Sequence, residues 1–212
     1  MRVLISTPLF PPEINYPANF AKSFAQNLQT NNHDVTVLAF VNYPESIEGV
    51  KIVSVNKNQN IFKRLFIFTN KLFKEVKYHD VVVLKQAGIS SLLTALVAKV
   101  FGKKIVLKLK EDEARERVEK QHVAKSSFLI SRVKFLQSLV FKLADIIVFD
   151  SETLKENILS QYKINSSKIK ILKHPEQRLY LPYENNSKQA EIEEWKTYIG
   201  EFENIVKNLH AK

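Results

Sequence analysis

Cysteine is absent from this chain of 212 residues. That excludes a disulfide framework, a catalytic thiolate and any cysteine metal site, and it fits a reducing compartment. Glycine occurs four times. The chain contains no G-x-G-x-x-G, no G-x-x-x-x-G-K-[ST] and no G-x-S-x-G, which argues against a dinucleotide oxidoreductase, a P-loop ATPase and an α/β-hydrolase. D-x-D is missing, so no metal–diphosphate site is implied. The histidines at 33, 79, 122, 174 and 210 are scattered and give no metal-ligand spacing. No apolar run approaches the ~20 residues of a membrane span. The opening MRVLISTPLFPP has one charge and a short apolar run stopped by Pro11-Pro12, unlike a secretory signal. The expected location is the cytoplasm. Any membrane contact would be peripheral, on the inner face.

Hydrophobic residues make up 45% and charged residues 25%, a globular balance in a chain long enough to bury a sizeable core. The net charge is +10, unevenly spread. From Glu184 onward six acids face four bases, a net −2, so residues 1–183 carry +12. A basic body suits an anionic partner: phosphate groups, nucleic acid or an acidic membrane. With no RNP, KH or helix-turn-helix pattern, nucleic acid is the weakest of these.

Short β-rich runs alternate with helical ones. Strands are expected at Arg2–Ser6, Val35–Phe40, Val50–Val55, Asp80–Leu84, Lys104–Leu109, Asp145–Phe149 and Lys168–Leu172. Helices are expected at Pro17–Asn31, with Phe20, Phe24 and Leu28 on one stripe, and at Ile61–Val76, with Phe62, Leu65, Phe66, Leu72 and Phe73 on the core side. Further helices are expected at Ile89–Phe101, over Glu113–Ala144 in one or two pieces, and at Glu152–Tyr162. Asn31-Asn32 reads as a helix stop, because asparagine tolerates the left-handed conformation. Strands without polar alternation are those buried on both faces, as in parallel sheets covered by helices. The reading is an α/β, doubly wound, mainly parallel Rossmann-like sheet of about seven strands with helices on both faces. It occupies residues 1–181. Residues 182–188 read as a linker. Residues 189–212 read as a C-terminal helix, periodic over Ala190–Leu209, packing back on the domain. In such sheets ligands bind beyond the carboxyl ends of the strands. That selects the loops Pro8–Tyr16, Lys85–Gly88, Lys110–Arg117, Asp150–Ser151 and Lys173–Gln177.

Six ordered fragments carry a resemblance. They are Thr7–Ile14 (TPLFPPEI), His33–Phe40 (HDVTVLAF), the D-V-V run at Asp80, Gly102–Leu109 followed by Glu111–Val118 (EDEARERV), Ala144–Leu159 (ADIIVFDSETLKENIL), and Lys168–Leu172 (KIKIL). Together they resemble the N-terminal domain of family 4 glycosyltransferases of the two-domain GT-B fold. The resemblance implies an acceptor-side half of an enzyme that moves a hexose from a nucleotide-sugar donor, without a metal, to a small-molecule or glycolipid acceptor. Trp195–Leu209 resembles the family's final crossover helix. The family's second, donor-binding domain has no counterpart here. Only 173–189 joins the last strand to that helix, so the chain is expected to be inactive alone, and a separate donor domain or a homodimer could complete it. The spacings Glu111–Glu119 and Glu176–Glu184 match E-x7-E outside its usual context and carry no weight.

The candidate ligand-binding residues follow from the loops and the resemblance. Asn15 and Tyr16 stand where the family has Gly-Gly beside a diphosphate; tyrosine would crowd it. Asp112, Arg115, Glu116 and Arg117 match a cleft-lining stretch whose arginines suit a phosphate or carboxylate. A solvated helix start explains the acids but not the arginines. Lys85 and Gln86 lie at the mouth of the fourth strand, where the family's histidine is replaced by Val83-Leu84-Lys85. No catalytic residue is assigned. Ser151 reads either as a ligand contact or as a helix N-cap. Two helices, Ile61–Lys77 and Ser126–Lys142, mix bases with large apolar residues. Each reads either as a membrane-surface contact or as a core helix with a basic outer face. The alternative to a transferase half is a non-catalytic Rossmann module that binds a nucleotide, a sugar phosphate or an anionic membrane surface.

Overall fold

The computed structural model describes residues 1–13, 16–110, 127–175 and 185–210; for Tyr16, 127–130 and 185–188 it describes the backbone alone. Seven strands form one sheet: β1 (Arg2–Thr7), β2 (Asp34–Phe40), β3 (Val50–Val55), β4 (Val81–Leu84), β5 (Lys104–Leu109), β6 (Ile146–Phe149) and β7 (Ile169–Ile171). Their order is β3-β2-β1-β4-β5-β6-β7, and every neighbouring pair is parallel. The helices are α1 (Tyr16–Thr30), α2 (Ile61–Val76), α3 (Ile89–Val100), α4 (Ser127–Leu143), α5 (Glu152–Leu159) and α6 (Asn185–His210). This is the doubly wound α/β sheet that the strand texture implied.

Each central strand feeds two cores, because alternate side chains leave opposite faces of the pleat. Val81 and Val83 enter one core with Phe20 and Phe24 of α1 and Trp195, Ile199 and Phe202 of α6. Val82 and Leu84 enter the other with Phe68 and Leu72 of α2, Ala95 of α3 and Phe141 of α4. Thus α1 and α6 cover one face, and α2, α3 and α4 cover the opposite one. Between β1 and β2 the chain turns at Asn32, whose φ of +61° is the left-handed conformation its position implied.

Three expectations need correction. The C-terminal helix begins at Asn185, inside the span read as a linker, rather than near Ala190. Its extra turns carry no apolar stripe, so periodicity could not show them. The helix after β6 ends at Leu159 rather than Tyr162. On α2 the buried stripe is Phe68, Leu72 and Val76, whereas Phe62, Phe66 and Phe73 are exposed. The helix is apolar on two sides, and spacing alone does not say which side meets the sheet. The part of the helical reading over Glu113–Ala144 that precedes Ser127 lies outside the described residues.

Candidate functional site

The strand order reverses between β1 and β4, the topological switch point where open α/β sheets bind ligands. Lys85 stands there, one residue beyond β4, with its backbone N–H donating to the Ser6 carbonyl of β1 at 3.2 Å. Leu84 pairs in register with Leu107, which places Lys85 beside Lys108 on the next strand. Both side chains share the face of Val83 and Val106, toward α1 and α6. The Lys85 ammonium lies 3.5 Å from the centre of the Phe20 ring. That of Lys108 lies 5.7 Å from the same ring and 5.1 Å from the Tyr198 ring. Lys108 is 1% exposed and donates to the Leu172 carbonyl at 3.2 Å.

His174, just past β7, closes the group. Its ring meets Phe20 edge-on at 3.9 Å and stacks on Tyr198 at 6.0 Å. Its backbone N–H donates to Asp150 Oδ1 at 2.7 Å, which holds the chain after β7 against the end of β6. Trp195 completes the aromatic wall, 5.4 Å from Phe20. A cleft of about 450 Å³ opens beside His174 and Tyr198, with Glu193, Glu194 and Glu201 of α6 on its outer side.

Burial dominates the electrostatics. Removal from water lowers the Lys108 pKa to about 8; Asp150 opposes that fall and Lys110 adds to it. The same desolvation, reinforced by Lys108, pushes Lys85 well below the usual lysine range. The His174 imidazole is held neutral, first by burial and then by the neighbouring lysines. Its Nε2 lies 3.9 Å from Asp150 Oδ1. Among the described residues, Asp150 is the carboxylate that supports the charged form of both lysines. Aromatic faces stabilise ammonium groups without neutralising them. Burial thus favours the neutral amine of both lysines, while Asp150 and the aromatic faces favour the ammonium.

No protein-family model matches the chain, and no curated protein matches it. Solved structures do. Anabaena HepE, crystallised with UDP and glucose, superposes with a TM-score of 0.58 at 11% identity over 83% of this chain and 45% of its own. Sucrose-phosphate synthase from Thermosynechococcus elongatus gives 0.58 at 10% identity over 82% and 48%. UDP-GlcNAc 2-epimerase from Methanocaldococcus jannaschii gives 0.50 at 16% over 81% and 45%. The chain has a GT-B-like Rossmann fold. It spans about half the length of these structures.

Within this GT-B-like sheet, the residues expected at the site fare differently. Lys85 and Gln86 lie at the switch point, both half-buried. Tyr16 is the first residue of α1. Ser151 is exposed and caps α5, its Oγ accepting from the Leu154 N–H at 3.2 Å; the capping role is the one its geometry fills. Asn15, Asp112, Arg115, Glu116 and Arg117 lie outside the described residues. Sequence reasoning passed over Lys108, Phe20 and Tyr198, and set His174 aside as a lone histidine. A lysine inside the apolar strand Lys104–Leu109 was the available signal for Lys108. For His174 the signal was its place in the loop Lys173–Gln177 beyond the last strand; its ring neighbours come from distant segments and could not be read.

Proposed function

We propose that this chain is the acceptor-side domain of a GT-B hexosyltransferase of the family 4 type, which uses a nucleotide-sugar donor and is completed by a donor-binding domain. The observation that carries the reading is the Lys85–Lys108 pair, walled by Phe20, Tyr198 and His174 at the switch point of a GT-B-like sheet. Two lysines sharing one carboxylate suit a phosphate-bearing ligand, whose charge would favour their ammonium forms, and the aromatic wall suits a sugar or base face. HepE, of similar fold, was crystallised with UDP and glucose. In this reading Asp112, Arg115, Glu116 and Arg117 orient the acceptor from the loop after β5, and Asn15 and Tyr16 border the phosphate. Transfer is metal-independent, and the chain alone does not turn over.

Calorimetric titration with UDP, GDP, ADP and their sugar conjugates tests this. At least one is expected to bind at millimolar strength or tighter, about −4 kcal/mol, unaffected by a metal chelator and lost in Lys108→Met. Absence of heat with every nucleotide would leave the donor site wholly to the donor-binding domain and overturn the assignment of Lys85 and Lys108 to a phosphate. A second reading, a non-catalytic module that binds a nucleotide or sugar phosphate, draws on Val83-Leu84-Lys85 standing where the resembling family has a histidine. Binding with no sugar transfer after a donor domain is added would favour it.

A further inference from the structure

The two faces of the sheet carry differently charged outer surfaces. On one, the five acids of α6, Glu191, Glu193, Glu194, Glu201 and Glu203, are largely offset by Lys188, Lys196 and Lys207 of the same helix and Lys22 of α1. On the other, α3 packs between α2 and α4, and these three helices hold eight bases and one acid. The bases are Lys63, Arg64, Lys71 and Lys74 on α2, Lys99 on α3, and Arg132, Lys134 and Lys142 on α4. The acid is Glu75, whose carboxylate is bound by Lys51 at 2.7 Å. Lys99 is paired with Asp145 at 2.6 Å; the exposed positive charge of the layer includes Lys63, Lys74 and Lys134.

The same layer leaves large apolar side chains in water. Phe62 is 81% exposed and Phe66 73%. Phe73 is also exposed and touches Phe101 at the end of α3, ring centres 5.9 Å apart. Val100 is 77% exposed and Phe135 of α4 64%. These are not spare core residues. Each helix already buries a separate stripe in the sheet: Phe68 and Leu72 from α2, Ala95 and Ala98 from α3, Val140 and Phe141 from α4. Apolar groups of this size on one layer mark an interaction surface.

The arrangement identifies the partner's chemistry. Exposed Lys63 follows Phe62 in sequence, exposed Lys74 follows Phe73, and exposed Lys134 precedes Phe135. On α2, Phe62, Phe66 and Phe73 share one flank of the helix, beside the buried stripe. Exposed rings and exposed lysines on one layer match a lipid boundary: rings enter the acyl region while ammonium groups stay at the headgroups. A second copy paired through the same layer, as in a two-fold dimer, would set one cationic layer against another.

We infer that the outer layer of α2, α3 and α4 docks on an anionic lipid surface, with Phe62, Phe66 and Phe73 inserted and Lys63, Lys74 and Lys134 among the headgroups. No helix of the described residues is long and apolar enough to cross a membrane, and the inferred contact is one along the surface. The crevice of Lys85 and Lys108 is on the opposite face of the sheet, so docking leaves it open.

Co-sedimentation of the whole chain with vesicles tests this, with no nucleotide or sugar present, so the outcome does not depend on the transfer reading. Vesicles of phosphatidylcholine alone are compared with vesicles containing one-third phosphatidylglycerol, at low and high salt. Binding is expected to the anionic vesicles, weakened by salt. It should fall by about tenfold or more in Phe62→Ser/Phe66→Ser and in Lys63→Gln/Lys74→Gln. Both pairs are solvent-facing, and circular dichroism would confirm their fold. No binding to anionic vesicles at low salt would overturn the inference. So would binding that survives both double replacements, or binding to polyuridylate without binding to vesicles.

Discussion

Lys108 shows what a buried lysine costs and what it is for. Its pKa is lowered to about 8 in the folded chain, against about 10.4 in an unfolded one. Between those values the unfolded chain holds the proton and the native one does not, so stability rises with pH across that window. The gain is about 3 kcal/mol at most. Lys108→Met should remove this slope and stabilise the chain near pH 7 by about 1–3 kcal/mol, while nucleotide binding is lost; urea denaturation at several pH values checks it. Equal slopes in both proteins would show that Lys108 is not the group that titrates. A bound phosphate would favour the charged ammonium, so affinity should fall as pH rises through about 8. Part of this was legible beforehand. Period-2 alternation puts Lys108 on the face of Val106, but it cannot say that Phe20 and Tyr198 will close over that face.

Among the elements, α2 and α6 teach opposite lessons. The stripe of α6 from Trp195 to Leu209 is apolar on one side only, and the structure buries that side against α1. Phe202 is 1% exposed and meets Phe24 edge-on at 5.1 Å. Phe202→Ala should cost about 3–5 kcal/mol, read from the denaturation midpoint. A cost below about 1 kcal/mol would mean that α6 is only loosely attached. In α2 both sides are apolar. Reading Phe62, Phe66 and Phe73 as core was consistent with helical spacing and still wrong, because spacing fixes a stripe and not its direction. The excess of phenylalanine beyond what one core face can take was the clue.

For the molecule as a whole, the strand-and-helix rhythm was enough to give the parallel sheet, since Val81–Leu84 and Ile146–Phe149 have no polar side to offer solvent. What the rhythm could not give was the gathering of Lys85, Lys108 and His174, because that depends on how the strands are ordered. The charge division between the two faces also appears only once the helices are placed. It predicts salt-dependent association. At low salt, repulsion between cationic layers should keep the chain monomeric. Near 1 M salt, where screening acts over about 3 Å, the exposed phenylalanines should bring copies together, seen as a rise in light-scattering mass. A mass that does not change would count against an exposed apolar layer. The packing of α6 on α1 has a consequence in time. Phe20 and Phe24 emerge early in synthesis, yet Trp195, Tyr198 and Phe202 that cover them are made last among the described elements. A growing chain therefore carries an open aromatic face until α6 has been synthesised. Chains stopped before α6 should need a chaperone to stay dispersed, and the final step of folding should be the closure of that helix.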